Sequence, residues 1–104
     1  MPDVAVAGKE TRGMMLSYGG DVVTAPYFGN SNGYTKSWKS VWGGSDKPWL
    51  QPVKAHYDAG RRQFGHGVGM SQRDAHLRAK KEGLLWWELL GYYYTDTDIA
   101  WMYR

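Results

Sequence analysis

The feature that most constrains the fold is Gly65-His66-Gly67-Val68-Gly69, in which glycine occupies every second position. Because glycine has no Cβ atom, this segment predicts a loop whose backbone closely approaches other backbone or a ligand. Ser71 follows the segment, and Asp74 stands three residues later, which is the spacing of a capping box. We therefore expect a helix that starts at Ser71, extends to about Glu82 and ends at Gly83.

The residues that follow predict a second helix, a turn and a last strand. The second helix extends roughly from Leu84 to Tyr92 and carries apolar residues at helical spacing. Its aromatic residues, and the tyrosines that follow, are more typical of a core than of a ligand surface. Thr95-Asp96-Thr97 indicates a turn, and residues 98–103 alternate enough to form a strand.

The first half of the chain predicts a hairpin after a short helix over residues 4–12. Two apolar runs, Met14 to Tyr18 and Asp21 to Tyr27, flank Gly19-Gly20. A two-residue glycine loop between such runs is a hairpin signal, because both glycines can adopt positive φ.

The middle of the chain predicts a long loop followed by an edge strand. Residues 29–48 are rich in Gly, Ser, Asn and Lys, and residues 50–56 indicate a strand in which Pro52 favours an edge position. The predicted fold class is therefore α+β. A small antiparallel sheet, made of the hairpin 14–27 and strands near 50–56 and 98–103, packs with two C-terminal helices in a single domain over residues 1–104.

Aromatic residues are unusually frequent for a chain of 104 residues. Six Trp, eight Tyr and two Phe are too many for a core of this size. Some should lie on the surface, where aromatic faces stack on sugars, bases or apolar partners. The net charge of +3 favours anionic partners such as cell-wall polymers or nucleic acid.

Several classes of site and segment are not expected from this sequence. The absence of cysteine excludes a disulfide and a cysteine zinc site. His56, His66 and His76 lack the short spacing of metal ligands, so we predict neither a metal nor a cofactor. No apolar run has the length of a membrane span, and the first residues do not form a signal peptide.

Two blocks of residues resemble the SpoIID/LytB family, which comprises stage II sporulation protein D and the amidase enhancers. The first block is Gly65 to Gln72, which reads GHGVGMSQ, followed by Leu89 to Thr95, which reads LLGYYYT. The second lies upstream, from Thr11 to Val53, and includes Val41-Trp42-Gly43-Gly44. The blocks occur in the order typical of the family and together cover most of the chain.

The resemblance implies a bacterial domain that binds or remodels peptidoglycan glycan strands outside the cytoplasm, at the cell wall. Members include lytic transglycosylases, and the amidase-enhancer members imply a wall amidase or another sporulation or wall protein as a partner. The family's catalytic glutamate belongs to a segment that, in this register, would precede Met1. The stretch from Ala59 to Phe64 is also shorter than in the family. The resemblance therefore implies glycan binding and leaves cleavage open.

The two weak candidates for catalysis are His66 and Glu88. The ring of His66 either serves a sugar, as a hydrogen-bonding or acid/base group, or bonds to backbone and fixes the turn into the helix. Glu88 lies in an aromatic helix, where we expect it to be partly buried, whereas Glu10 and Glu82 are expected on the solvated surface. A glycosidic bond needs a carboxylic acid for its cleavage.

The predicted substrate-binding residues belong to the loops and to the helix start, and they are Tyr27, Ser31, Tyr34, His66, Ser71 and Gln72. Trp38 and Trp42 join the two tyrosines as candidates for a sugar-stacking platform, the alternative being that they bury the long loop against the sheet. For Trp42 we expect this burial, because the Val41-Trp42-Gly43-Gly44 block is more typical of a structural element. Ser71 is more typical of a helix cap than of a nucleophile. The free N–H groups at this helix start are suited to a carboxylate, and Arg78, Lys80 and Lys81 predict a solvated helix face.

Two other functions fit the same composition. One is a complete minimal lytic transglycosylase that uses a relocated carboxylate. The other is a basic, aromatic-rich nucleic-acid-binding module, which ranks last because the chain carries no recognisable RNA- or DNA-binding motif. A homo-oligomer would also cover exposed aromatic residues.

Overall fold

The computed structural model describes residues 14–101, so the helix predicted over residues 4–12 and the last two residues of the strand predicted over 98–103 lie outside the described residues. The fold is α+β, as predicted: a small antiparallel sheet is combined with helices. The elements, in chain order, are strands β1 (Met14–Tyr18), β2 (Asp21–Val22) and β3 (Tyr27–Phe28), helix α1 (Trp38–Trp42), the 3-10 helix η1 (His56–Asp58), strand β4 (Met70–Ser71), helices α2 (Gln72–Glu82) and α3 (Trp86–Tyr93), and strand β5 (Asp98–Trp101).

The predicted hairpin supplies two of the three strands of the antiparallel sheet. Strands β1 and β2 pair around Gly19 and Gly20, whose φ angles of 60° and 91° are those that a two-residue primed turn requires. Strand β5 pairs with the other edge of β1, with Leu16 opposite Ile99, so the strand order is β2-β1-β5. The second arm of the hairpin is shorter than predicted, because the chain leaves the sheet after Val22 and builds β3 beside β4.

The strand predicted over residues 50–56 is wrong. This segment forms one bridge, between Tyr34 and Lys54, and then turns into η1. Three backbone hydrogen bonds join it to the preceding segment: from Thr35 to Val53, from Ala55 to Gly33 and from Trp38 to Leu50. Pro52 has no N–H to donate, so a longer ladder would lack a hydrogen bond there.

The predicted loop over residues 29–48 contains a helix that the sequence analysis missed. Ser37 caps the short helix α1, since its side-chain oxygen accepts a hydrogen bond from the N–H of Ser40 at 3.2 Å. This is the geometry that serine provides at a helix N-terminus. Helix α1 has only five residues, which are too few to show helical periodicity. The polar composition of the segment therefore predicted a loop.

Both C-terminal helices lie close to their predicted bounds. Ser71 caps α2 through its Oγ, which accepts from the N–H of Asp74 at 3.3 Å, and the helix ends at Gly83. The carboxylate of Asp74 points into the interior, so only the serine half of the predicted capping box forms. Helix α3 begins two residues later than predicted, because Glu88 accepts a hydrogen bond from the backbone N–H of Leu85 at 3.0 Å.

The core lies where β1, the central loops and the two long helices meet. Its buried members are Leu16, Leu50, Val68, Ala75, Leu89, Tyr93 and Tyr94. The aromatic residues of α3 and the tyrosine that follows it were predicted to lie in the core. This is confirmed for Tyr93 and Tyr94, whereas Trp87 and Tyr92 are exposed. None of the helices between residues 14 and 101 is long and apolar enough to cross a membrane.

Candidate functional site

The glycine-rich loop approaches other backbone as closely as the sequence predicted. Gly69 has a φ of 87°, and a Cβ atom placed on it would lie 2.0 Å from the carbonyl oxygen of Pro26. The next residue, Met70, donates its N–H to the same oxygen at 3.2 Å. The loop is therefore fixed against the segment that leads into β3, and it holds the preceding His66 in place.

His66 is fixed by its own loop and presents its other ring nitrogen outward. Its Nδ1 accepts a hydrogen bond from the N–H of Val68 at 2.9 Å. The hydrogen of the neutral ring is therefore on Nε2, and no acceptor among residues 14–101 binds that atom. Nδ1 of His66 therefore bonds to backbone, which is one of the two roles considered for this ring. Its Nε2 remains able to donate a hydrogen bond to a ligand.

The rings around His66 extend into a continuous surface feature, here called the aromatic strip. The His66 ring centroid lies 5.0 Å from that of Trp42, and the Trp42 centroid lies 4.4 Å from that of Trp38. Lys47 follows, with its Nζ 4.8 Å from the centroid of Trp38 and 5.5 Å from that of Trp49. The aromatic strip therefore consists of His66, Trp42, Trp38, Lys47 and Trp49.

The aromatic strip is anchored at both ends by the fold. Phe28, buried in β3, packs its ring 5.6 Å from His66, and Tyr18 of β1 lies 5.6 Å from Trp49. The indole Nε1 of Trp49 also donates to the carbonyl oxygen of Thr24 at 2.8 Å. Trp42 is 47% exposed, so its ring is the principal solvent-facing surface of the strip. We expected Trp42 to be buried against the sheet, and that expectation is wrong, because its ring packs on His66 and Trp38 from outside.

Two of the predicted substrate-binding residues are fully buried and bond to one carboxylate. The hydroxyls of Ser31 and Ser71 donate to Oδ2 of Asp58 at 2.8 Å and 2.5 Å, and the N–H of Ser31 donates to the same atom at 2.9 Å. Arg73 reaches the other oxygen at 3.2 Å. These groups tie the loop after β3 and the start of α2 to η1.

The remaining predicted binding residues lie apart from the strip. Tyr27 and Tyr34 are exposed, in β3 and at the bridge with Lys54. No ring contact among residues 14–101 joins either tyrosine to the strip. Gln72 is half-buried at the first position of α2. The fold thus gathers His66 with Trp38 and Trp42 and separates them from the two tyrosines.

A second buried carboxylate organises the other side of α2. Asp74 accepts from the N–H of Tyr57 at 3.0 Å, from Nε of Arg78 at 2.6 Å and from the hydroxyl of Tyr93. Burial, followed by this bond to Asp74, raises the pKa of Tyr93. Arg78 is buried, so the predicted solvated face of Arg78, Lys80 and Lys81 is wrong at its first member. Its guanidinium turns inward because Asp74 lies one helical turn away.

Three of the described carboxylates, those of Glu88, Glu82 and Asp46, are exposed. Glu88 is exposed and bonds to the start of its own helix, so the expectation of partial burial is wrong. Hydrogen bonds from Tyr57 and then from His56 lower the pKa of Glu82, and a hydrogen bond from Gln51 lowers the pKa of Asp46. A general acid in glycoside cleavage needs a raised pKa.

Lys47, Trp49 and Asp58 are components of this region that sequence reasoning did not single out. Lys47 and Trp49 lie two residues apart within a segment read as loop and strand, and Asp58 belongs to no motif quoted above. In the part of the chain that the structure describes, no group of three His, Asp or Glu side chains is placed to hold a metal ion. No protein-family model matches the chain, and no curated protein matches it either.

Proposed function

We propose that this chain is a glycan-binding domain that recognises bacterial peptidoglycan through the aromatic strip. The observation that carries the proposal is the half-exposed ring of Trp42, held 5.0 Å from His66 and 4.4 Å from Trp38. Pyranose sugars present an apolar face of C–H groups, and the electron-rich face of an indole packs against such a surface. A tryptophan that is already held by its neighbours loses little side-chain entropy on binding.

The contact between Trp42 and His66 also joins the two blocks that carry the family resemblance. Trp42 belongs to the Val41-Trp42-Gly43-Gly44 block, and His66 belongs to the Gly65-to-Gln72 block. They are 24 residues apart in the sequence and adjacent in space. A surface built from both motifs supports the expectation, drawn from the resemblance, that the motifs serve one ligand at the cell wall.

The environments of the exposed carboxylates favour a domain that binds glycan without cleaving it. Among residues 14–101, the exposed Glu82 and Asp46 have lowered pKa values, and Glu88 bonds to the backbone of Leu85. The alternative of a minimal lytic transglycosylase predicts the release of soluble fragments from purified sacculi. Their absence, together with retention of the protein on the sacculi, supports a binding domain, which would work beside a wall amidase or another wall enzyme.

A retention assay on purified sacculi tests the proposal with a matched pair of variants. Trp42→Ala removes a ring of the aromatic strip, and Trp87→Ala removes an equally exposed ring, 47% in both cases, from α3. We expect Trp42→Ala to weaken binding about tenfold or more, equivalent to about 1.4 kcal/mol, and Trp87→Ala to change it less than twofold. Equal losses in both variants, or no retention of the folded wild-type protein, would overturn the proposal.

The nucleic-acid alternative predicts a different result. Retention on nucleic acid that falls steeply with salt concentration, in place of retention on sacculi, would favour that alternative.

A further inference from the structure

The positive charge of the chain is concentrated on the segment that builds most of the aromatic strip. Residues 29–54 contain one aspartate and four lysines, namely Lys36, Lys39, Lys47 and Lys54. Residues 29–54 therefore carry a net charge of +3, which equals the formal net charge of the whole chain. Trp38, Trp42 and Trp49 belong to this same segment. A ligand on the strip therefore approaches through a positive local potential, which favours an anion.

Lys47 supplies a positive charge within the strip itself. Its ammonium group lies over the faces of Trp38 and Trp49, a cation–π arrangement that holds the charge in position. None of the ion pairs among residues 14–101 includes Lys47. The neighbouring carboxylate, on Asp46, accepts instead from the N–H of Lys39 at 3.4 Å and from the amide of Gln51 at 3.0 Å. The three N–H donors of Lys47 are therefore available to a ligand.

The other unpaired polar atoms of the strip are also donors. The indole N–H groups of Trp38 and Trp42 meet no acceptor in the described range, and Nε2 of His66 carries the ring hydrogen. A sugar hydroxyl both donates and accepts, so its own hydrogen would find no side-chain acceptor on these residues. An unmet donor at a desolvated contact costs about 1–3 kcal/mol. A carboxylate is acceptor-only, so it satisfies these groups without leaving a donor unmet.

Building on the proposed recognition of peptidoglycan, we infer that the aromatic strip selects carboxylate-bearing saccharides and that Lys47 sets this selectivity. The rings of Trp38 and Trp42 hold the sugar faces. The ammonium of Lys47 and the N–H of His66 bind the carboxylate that the glycan or its attached peptides carry. A neutral polymer of N-acetylglucosamine offers the same apolar faces without the anion, so it binds more weakly.

The test uses the full chain and four ligands. The ligands are untreated sacculi, sacculi freed of phosphodiester-linked polymers with hydrofluoric acid (the unmodified sacculi below), the same freed sacculi with their carboxyls amidated, and the neutral hexamer of N-acetylglucosamine. The variants are Lys47→Gln, which removes the charge, Lys47→Arg, which keeps it, and Lys54→Gln, which removes an exposed lysine of the same segment away from the strip. Thermal unfolding of each variant checks that it is folded.

We expect Lys47→Gln to weaken binding to the unmodified sacculi about fivefold to tenfold and to weaken binding to the neutral hexamer by a much smaller factor. Amidation of the sacculi should weaken wild-type binding to the level of the Lys47→Gln variant on unmodified sacculi. Lys47→Arg should retain most of the wild-type affinity, and Lys54→Gln should bind as tightly as the wild type. Equal wild-type binding to unmodified and amidated sacculi overturns this inference alone, provided that Trp42→Ala still weakens retention. Loss of binding on removal of the phosphodiester polymers would assign the anion to phosphate and overturn it too. Failure of the wild-type chain to bind any sacculi overturns both this inference and the proposed function.

Discussion

At the level of single residues, Asp58 joins the loop after β3, η1 and the start of α2 through one buried side chain. Its buried carboxylate accepts three hydrogen bonds at Oδ2, from the N–H and hydroxyl of Ser31 and from the hydroxyl of Ser71. A fourth comes from Arg73 to Oδ1. An ionised carboxylate away from water is stable only with such partners. Asp58 therefore links three separate chain segments through one side chain.

Replacing Asp58 with Asn should destabilise the protein by about 2–4 kcal/mol. The substitution keeps the shape of the side chain but removes the charge, and it turns an N–H₂ group toward groups that themselves donate. The measurement is the free energy of unfolding from urea denaturation. Asp21→Asn, at an exposed position of β2, serves as the control and should change stability by less than about 0.5 kcal/mol. A similar small change in both variants would contradict the structural role given to Asp58.

The two glycines at positions 69 and 91 should respond in opposite directions to the same substitution. Gly69→Ala places a methyl group 2.0 Å from the carbonyl oxygen of Pro26 at a φ of 87°, and should destabilise the protein by about 3 kcal/mol or more. Gly91 lies within α3, where a Cβ atom would meet nothing within 4 Å, so Gly91→Ala should stabilise by about 0.5–1 kcal/mol. Urea denaturation of both variants measures the contrast. A neutral Gly69→Ala would show that the loop does not pack closely on Pro26.

At the scale of elements, predictions succeeded where short-range chemistry decides the structure. The turn Gly19-Gly20, the cap at Ser71 and the stop at Gly83 each depend on neighbours within a few residues, and all three occur as predicted. The strand over residues 50–56 was wrong because its pairing depends on a distant partner segment. Arg78 was assigned to the surface because helix spacing places Asp74 one turn away but does not show that this carboxylate is buried.

The caps of α1 and α2 provide a comparison of the same residue type in two environments. Ser37→Ala removes only a cap hydrogen bond and should cost about 1 kcal/mol. Ser71→Ala removes a cap and also a donor to the buried carboxylate of Asp58, so it should cost about 2–4 kcal/mol. Chemical denaturation of both variants gives the difference. Equal effects would mean that the bond from Ser71 to Asp58 contributes little.

The end of α2 should contribute an acid-dependent part of the stability. Hydrogen bonds from Tyr57 and then from His56 lower the pKa of Glu82 below its ordinary value of 4.5. Because the folded-state pKa is the lower one, the stabilisation is present above pH 4.5 and is lost as the pH falls through the lowered value. Glu82→Gln and Tyr57→Phe should therefore both reduce the loss of stability between pH 5 and about pH 3. Urea midpoints at these two pH values measure it, and an unchanged pH dependence in both variants would refute the assignment.

At the scale of the whole molecule, the fold builds the candidate site from segments that the sequence keeps apart. His66 was identified from sequence as a candidate binding residue, whereas Trp42 was expected to be buried, and their contact across 24 residues was not predictable from spacing. Two buried carboxylates, on Asp58 and Asp74, fix the loops and α2 beneath the surface. The aromatic strip is thus a preformed surface, and binding should require little rearrangement of the backbone.

The most direct test of the central claim is an NMR titration of the six tryptophan indole N–H signals with soluble peptidoglycan glycan fragments. Single Trp→Phe variants assign the signals. We expect concentration-dependent shifts of the Trp38 and Trp42 signals, with the Trp86 and Trp87 signals of α3 unchanged. Shifts confined to Trp86 and Trp87, or no shift of any indole signal at fragment concentrations that saturate retention on sacculi, would contradict it.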